Sequence, residues 1–535
     1  DVKTAIVPVP SVLPRIIRLP DVSEANSRHC FVFLEDMLMF YAARFFVGYD
    51  LLEARAFRIT RDADLYIDEE DAQDLVVEVE RQLKKRQRGQ AVRLEFEVGT
   101  SRFMRRFMTQ EMNLEKEDMY QIDGPLDMTV FFGFCGIKGY NHLRYPEAHP
   151  HSPWSMLELK RTPETNIFDM IREKDLLIHL PYESFDESVV NFLYSAANDK
   201  DVLAIKQTLY RVSSSSPVVQ ALEKAVQNGK QVTVLMEVKA RFDEANNILM
   251  ARRLEKAGAH VIYGLVGLKT HSKCTLVIRR EKDGIRRYVH VATGNYNAST
   301  AKLYTDLGIL TCNDRFGIDA SAFFNLLSGY SDPPIWDSFI VAPINLRQRC
   351  IELIDREIHF AKNGEDAHMI AKMNSLLDKG IIEKLYEASQ AGVKIELIVR
   401  GICVLIPGIP GISDNITVRS IVGRFLEHSR IFWFRNGGRE ELYISSADWM
   451  PRNLNDRVEL MVPIEDPEIK RRLKQMVDIE LSDNQKAHIM QADGTWLKTI
   501  SAENQLCAQE YFQKIAEKRD AEDEMTLAQK LEPYT

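Results

Sequence analysis

Asn228-Gly229-Lys230-Gln231-Val232-Thr233-Val234-Leu235 and Ala391-Gly392-Val393-Lys394-Ile395-Glu396-Leu397-Ile398 share one pattern: a glycine after a helical stretch, then a short apolar strand. The first copy sits among Val202-Leu203-Ala204-Ile205, Val232-Thr233-Val234-Leu235-Met236 and His260-Val261-Ile262-Tyr263. Helical stretches at Val218 to Gln227 and Asn246 to Lys256 separate these strands. Such alternation predicts an α/β fold around a parallel sheet. Ser331-Asp332-Pro333-Pro334 interrupts the pattern, which resumes with a helix over Ile381 to Gln390 and the strand Lys394 to Val399. Each half later carries a histidine-serine-basic triplet, His271-Ser272-Lys273 and His428-Ser429-Arg430, leading into an apolar strand. A polar turn follows each: Gly294-Asn295-Tyr296-Asn297, and Ser445-Ser446-Ala447-Asp448 with Asn453. Three matched features in one order predict a duplicated α/β domain with a single site between the copies.

Outward from this pair, the texture at the start of the chain differs. Phe31 to Val47 reads as an apolar helix with Gly48 at its C-terminal cap. Thr60 to Asp64 reads as the cap of a polar helix, and Val92 to Val98 as a half-buried strand. The stretch Pro146 to Pro153, with His149 and His151, reads as a linker. The expected organisation is an α+β domain over 1–155, a first α/β domain over 156–332, and a second over 333–535 with C-terminal helices.

Composition narrows the class. With 535 residues, 45% hydrophobic and 27% charged, the chain is a multi-domain globular protein. No apolar run approaches the roughly 20 residues of a membrane span, and no secretory leader is visible at Asp1-Val2-Lys3-Thr4. Seven scattered cysteines without a Cys-x-x-Cys pair fit a reducing, cytoplasmic setting and give no zinc site. A net charge of −9 argues against a nucleic-acid partner, and the basic run Arg81 to Arg88 reads as a solvated helix end.

The chemistry concentrates at the triplets. If Lys269-Thr270-His271-Ser272-Lys273 is a strand, positions 269, 271 and 273 share a face and set an imidazole between two ammonium groups. Burying such a set is costly without an anion. Cationic neighbours also keep the imidazole neutral and nucleophilic. Arg211 and Arg241 follow the strands that begin near Val202 and Val232, where open α/β sheets bind ligands, and offer bidentate forks to phosphate. Arg400 ends the corresponding strand of the second half, and Arg457 and Glu459 share a strand face. Glu427, preceding His428, offers a carboxylate that would favour its imidazolium form. This set of arginines and paired histidines points to a polyanionic ligand.

The repeated His-x-basic triplet with a downstream asparagine resembles the phospholipase D superfamily. Two departures are present: Lys273 is followed by Cys274-Thr275-Leu276-Val277-Ile278 without the usual aspartate, and Arg430 stands where lysine is usual. Both fit one branch, the polyphosphate kinases. The likeness runs along most of the chain, through Leu209-Tyr210-Arg211-Val212, Ala240-Arg241-Phe242-Asp243-Glu244, Gly267 to Lys273, Thr293 to Asn297 and Leu303-Tyr304-Thr305-Asp306. It continues through Val399-Arg400-Gly401, Gly411 to Asn415, Leu426-Glu427-His428 and Ser445 to Met450.

The resemblance implies two tandem phospholipase D-like domains behind a head domain. It implies reversible transfer of the ATP terminal phosphate onto inorganic polyphosphate through a phosphohistidine on His271, with His428 opposite and Lys273 and Arg430 beside them. Tyr304, Arg400, Arg457, Glu459, Lys269, Asn295 and Asn297 would line the nucleotide pocket together with His428. Arg211 and Arg241 would meet Mg(II)-bound phosphates through the phosphate oxygens. The resemblance further implies a dimer or tetramer, possible peripheral membrane association, and an N-terminal helical domain ahead of Asp1 that supplies an asparagine to the nucleotide. The rival expectation is a phospholipase D-like phosphodiesterase acting on lipid or nucleic acid.

Overall fold

The computed structural model describes residues 2–20, 29–63, 75–86, 89–157, 165–329 and 335–531, with side chains to residue 519. The chain forms two compact units, residues 1–68 with 77–147, and residues 69–76 with 148–535.

The first unit is α+β. Strands Phe57–Arg61, Ala91–Glu97 and Met119–Ile122 form its three-stranded sheet. Leu94, Phe96, Met108 and Leu114 make a small core. The strand expected at Val92 to Val98 is therefore present, one residue earlier. Two expectations fail. Phe31 to Val47 is a strand Phe31–Phe33, a helix Leu34–Phe40 and a single turn Ala42–Arg44. Phe31 to Phe33 pairs with Ile16 to Arg18, so cross-strand pairing overrides helical periodicity there. Thr60 and Arg61 complete a strand rather than cap a helix. Asp64 and the residues after it, part of the Arg81 to Arg88 run, and Ser331 to Pro334 lie outside the described residues.

The second unit contains two sheets of matching topology. In the first, the spatial order is Leu176–Leu180, Tyr304–Thr311, Gly284–Ala292, Cys274–Glu281, Val202–Leu209, Gln231–Met236 and His260–Tyr263. In the second it is Ile340–Ala342, Arg457–Pro463, Glu441–Ser445, Ile431–Phe434, His368–Met373, Lys394–Val399 and Ile416–Ile421, extended by Ala487–Met490 and Trp496–Lys498. The sheets are mixed, which corrects the all-parallel expectation. Parallel neighbours arise at the crossovers through Pro217–Gln227 and Glu244–Ala257, and through Lys379–Gln390 in the second half. The triplet strands return as antiparallel hairpins, as short connections require.

Val218, Val219, Ala221, Leu222 and Ala225 recur at helical spacing on Pro217–Gln227, and all are buried. Ser216 caps that helix through the Val219 N–H, and Pro217 opens it. One core cluster runs through both sheets, from Leu276, Val289 and Leu307 to Ile370, Ile431, Trp433 and Leu460. Each such side chain contributes about 1.5–3 kcal/mol by leaving water, so the halves hold each other rigidly. Among the described residues no helix is long and apolar enough to cross a membrane.

Candidate active site

The two sheets exchange two-residue strands. Lys269–Thr270 pairs in parallel with Arg457 and Val458 of the second sheet. Leu426–Glu427 pairs in parallel with Tyr304 and Thr305 of the first. In both places the next residue of the inserted strand is a histidine, and a carboxylate follows closely on the receiving strand: His271 meets Glu459, and His428 meets Asp306. Each histidine is thus oriented by the opposite half.

His271 is buried, and its Nδ1 lies 2.9 Å from the Glu459 carboxylate and 3.0 Å from Lys273 Nζ. Ser446 donates its hydroxyl to the same carboxylate, and Arg457 stands 3.8 Å away. When Glu459 is ionised it accepts from Nδ1, which favours the ring proton there and leaves Nε2 its lone pair. Burial, then the charges of Lys273, Arg457 and Arg430, push the imidazole well below its ordinary value. The same burial lowers Lys273 to about 7 and raises Glu459 to about 7. Tyr210 closes one side edge-on, with ring centroids 4.7 Å apart.

His428 Nδ1 lies 2.9 Å from Asp306, whose other partner is the Thr293 hydroxyl at 2.6 Å. Arg430 places Nη1 3.1 Å from His428 Nε2 and is itself braced by Asp448 at 3.1 Å. Burial is the first cause of a lowered pKa at His428 as well, partly opposed by Asp306. Arg400 donates two bonds to Asn374 Oδ1, at 2.9 and 2.8 Å, and Asn374 in turn donates to the His428 carbonyl at 3.1 Å. The Tyr304 ring centroid is 5.2 Å from that of His428.

The structure therefore gathers His271, Lys273, His428, Arg430, Tyr304, Arg400, Arg457 and Glu459. Arg211 joins them at the rim: its guanidinium sits 5.6 Å over Tyr210, donates to the Arg241 carbonyl at 3.2 Å and pairs with Asp243 at 2.8 Å. The Arg241 guanidinium lies 5.5 Å over the Phe242 ring. Asn295 holds a buried Oδ1 without a hydrogen-bond partner.

Two expectations are corrected. Residues 271–273 lie between strands, so strict alternation fails: Lys269 is exposed and its charge acts on Glu237, while Arg457 and Arg430 supply the further positive charge at His271. Glu427 does not serve His428, because its side chain takes the opposite face of the inserted strand and bonds Lys372 at 2.7 Å. Asn297 accepts from the Ser299 and Thr300 amides through its Oδ1.

Asn374 escaped sequence reasoning, and Asp306, Asp448, Thr293 and Ser446 were read only as members of motifs, with no partner assigned. Their partners are remote in the chain, and a lone carboxylate on a strand gives no sign of which histidine it faces. Among the described residues no group of three or more histidine, cysteine or carboxylate side chains is placed to hold a metal. The nearest carboxylates already orient the histidines, so this set does not fit a protein-held Mg(II).

Buried cations around two imidazoles of lowered pKa, on duplicated α/β sheets, suit an enzyme that handles phosphoryl groups. Polyphosphate kinase family models match in three consecutive parts: the middle domain over 1–134, C-terminal domain 1 over 166–333 and C-terminal domain 2 over 339–509. The chain is 52% identical to polyphosphate kinase of Halalkalibacterium halodurans over 486 residues, covering 90% of this chain and 68% of that protein. It is 49% identical to the Bacillus anthracis polyphosphate kinase, covering 94% and 70%. The crystal structure of polyphosphate kinase from Porphyromonas gingivalis superposes with a TM-score of 0.82 at 32% identity, covering 96% of this chain and 75% of that one. This chain belongs to the polyphosphate kinase family and is a kinase acting on polyphosphate.

Proposed function

We propose that the chain transfers the ATP terminal phosphoryl group to polyphosphate, reversibly, through a phosphohistidine at His271. The observation that supports this reading is the Glu459–His271 contact at 2.9 Å: with Glu459 ionised, Nδ1 donates to it and Nε2 is left to attack. Nε2 attacks the γ-phosphorus, the bond to the β-bridging oxygen breaks, and ADP leaves with that electron pair. A terminal polyphosphate oxygen then attacks the same phosphorus, and the N–P bond returns its pair to Nε2. Lys273, Arg430 and Arg457 neutralise charge on the equatorial oxygens. His428, held by Asp306, faces the transferring group. An arriving polyanion raises its pKa, so it gains a proton when the leaving oxygen needs one.

The arginines Arg211 and Arg241 would grip substrate phosphates, with Mg(II) carried on the nucleotide's own oxygens. Arg400, Tyr304, Asn295 and Arg457 would line the nucleotide side. In this reading 1–155 is the head domain, with 156–332 and 333–535 as the two catalytic domains, working as an oligomer in the cytoplasm. A phosphodiesterase gives no role to the strand-end arginines and needs no nucleotide. Incubation with γ-³²P ATP and Mg(II) tests the choice. Label stable to alkali, lost in acid and absent from His271→Gln is expected. Acid-stable label, or label on the peptide containing His428, overturns the assignment.

A further inference from the structure

The inserted strand ahead of His428 is held by a buried clasp that draws on the C-terminal helix. Gln509, on the C-terminal helix beginning at Ala508, accepts from the Phe425 amide at 2.9 Å and donates to the Phe425 carbonyl at 2.8 Å. Its carboxamide also donates to Glu427 at 2.6 Å. Glu427 takes two further donors, the Thr305 hydroxyl at 2.8 Å and Lys372 at 2.7 Å. Lys372 in turn meets Glu480 on the helix Pro467–Leu481. All four of Lys372, Glu427, Glu480 and Gln509 are at most 3% exposed.

The strand ahead of His271 is held by other side chains, Glu237 and Lys239, the latter donating to the Leu268 carbonyl at 3.0 Å. The Thr270 amide donates to Glu237 at 2.7 Å, and Glu237 also accepts from the Lys239 amide at 2.8 Å. The two histidines are related by the duplication, yet it is the strand of His428 that is tied to the C-terminal helix.

Burying a lysine with two carboxylates is expensive, and isolated ion sets of this kind rarely repay their desolvation in stability. A two-residue strand has few hydrogen bonds of its own, so its direction must come from outside. A carboxamide bonding both backbone groups of Phe425 acts as one more strand partner, two residues before Glu427 and three before His428. We propose that Gln509, with Lys372 and Glu427, forms a positioning clasp through which the C-terminal helix sets His428, and His428 alone, against the transferring phosphoryl group. This deepens the proposed function and rests on its unequal roles for the two histidines.

A double-mutant cycle on turnover separates positioning from general support. Gln509→Leu and Gln509→Met each remove the clasp at similar volume. Either should lower the turnover of ATP into acid-insoluble polymer by about 10- to 100-fold, the scale of a displaced catalytic group. The same substitution placed in His428→Ala should cost less than about twofold, since the group it positions is gone. A cost that persists undiminished in the His428→Ala background overturns the proposal, as does wild-type turnover in both single variants. Loss of the folded state in both variants, read as a lost cooperative melt, would make Gln509 a fold residue and equally defeat it. Because the cycle is read on turnover, it is independent of whether label from ATP resides on His271. Failure of the phosphohistidine reading would show in the wild-type labelling pattern instead.

Discussion

Replacing Glu459 by glutamine should make the protein more stable and nearly inactive. Glu459 is fully buried, and that burial outweighs Lys273 and Arg457, raising its carboxyl from the ordinary 4.5 to about 7. The folded state then binds the proton more tightly than the unfolded chain. Between pH 4.5 and about 7 stability therefore falls as pH rises, at up to about 1.4 kcal/mol per pH unit. The ceiling of that loss is about 3 kcal/mol. Glutamine does not ionise, so the variant should match wild type at pH 4.5 and exceed it at pH 8. The gain falls short of the ceiling because Lys273 loses its anion; about 1–2 kcal/mol is expected. Activity should move the other way. A glutamine amide can donate to Nδ1, which transfers the ring proton to Nε2 and removes the attacking lone pair. Turnover should drop by about 10²- to 10⁴-fold, the scale of a wrong tautomer in other carboxylate–histidine pairs. Urea unfolding at pH 5 and pH 8, beside turnover of ATP into polymer, measures both. A variant less stable than wild type at pH 8, or one turning over within about threefold of it, would refute the reasoning.

Other residues give sharper single readings. Lysine at Arg211 or at Arg241 keeps the charge and loses the bidentate fork, so kcat/KM should fall by roughly 10²-fold; near-normal rates in both variants would make them ordinary rim arginines. Gly294→Ala puts a Cβ 2.3 Å from the Asp306 carboxyl carbon, which must shift away from His428. Turnover should drop at least about tenfold, and a crystal structure with the Asp306–His428 contact intact would show the cause to be different. His428→Ala should turn over far more slowly yet still accumulate alkali-stable label on His271, a result checked by peptide mapping.

Much of this protein was legible along the chain. The doubled glycine-strand pattern and the paired triplets announced two copies of one α/β domain, because strand and helix periodicities are local properties that each copy repeats. The paired triplets of His271 with Lys273 and of His428 with Arg430, and Arg400 at a strand end, pointed to one polyanion site, while Arg457 and Glu459 were placed beside it by the family resemblance. The mixed sense of the sheets did not follow, since a hairpin return and a crossover can join strands of the same composition. The failed helix at Phe31 to Val47 has the same root: its apolar residues suit either element, and pairing with Ile16 to Arg18 decided between them. Only the tertiary structure assigned carboxylates to histidines. Glu427 is adjacent to His428 in sequence, but on an inserted strand adjacent side chains take opposite faces, so it serves Lys372 and the C-terminal helix. Asp306, 122 residues away, orients the ring instead. A strand fixes which way its own side chains point; which residue waits on the other side depends on the strand laid beside it, and that is settled only when the two halves fold together.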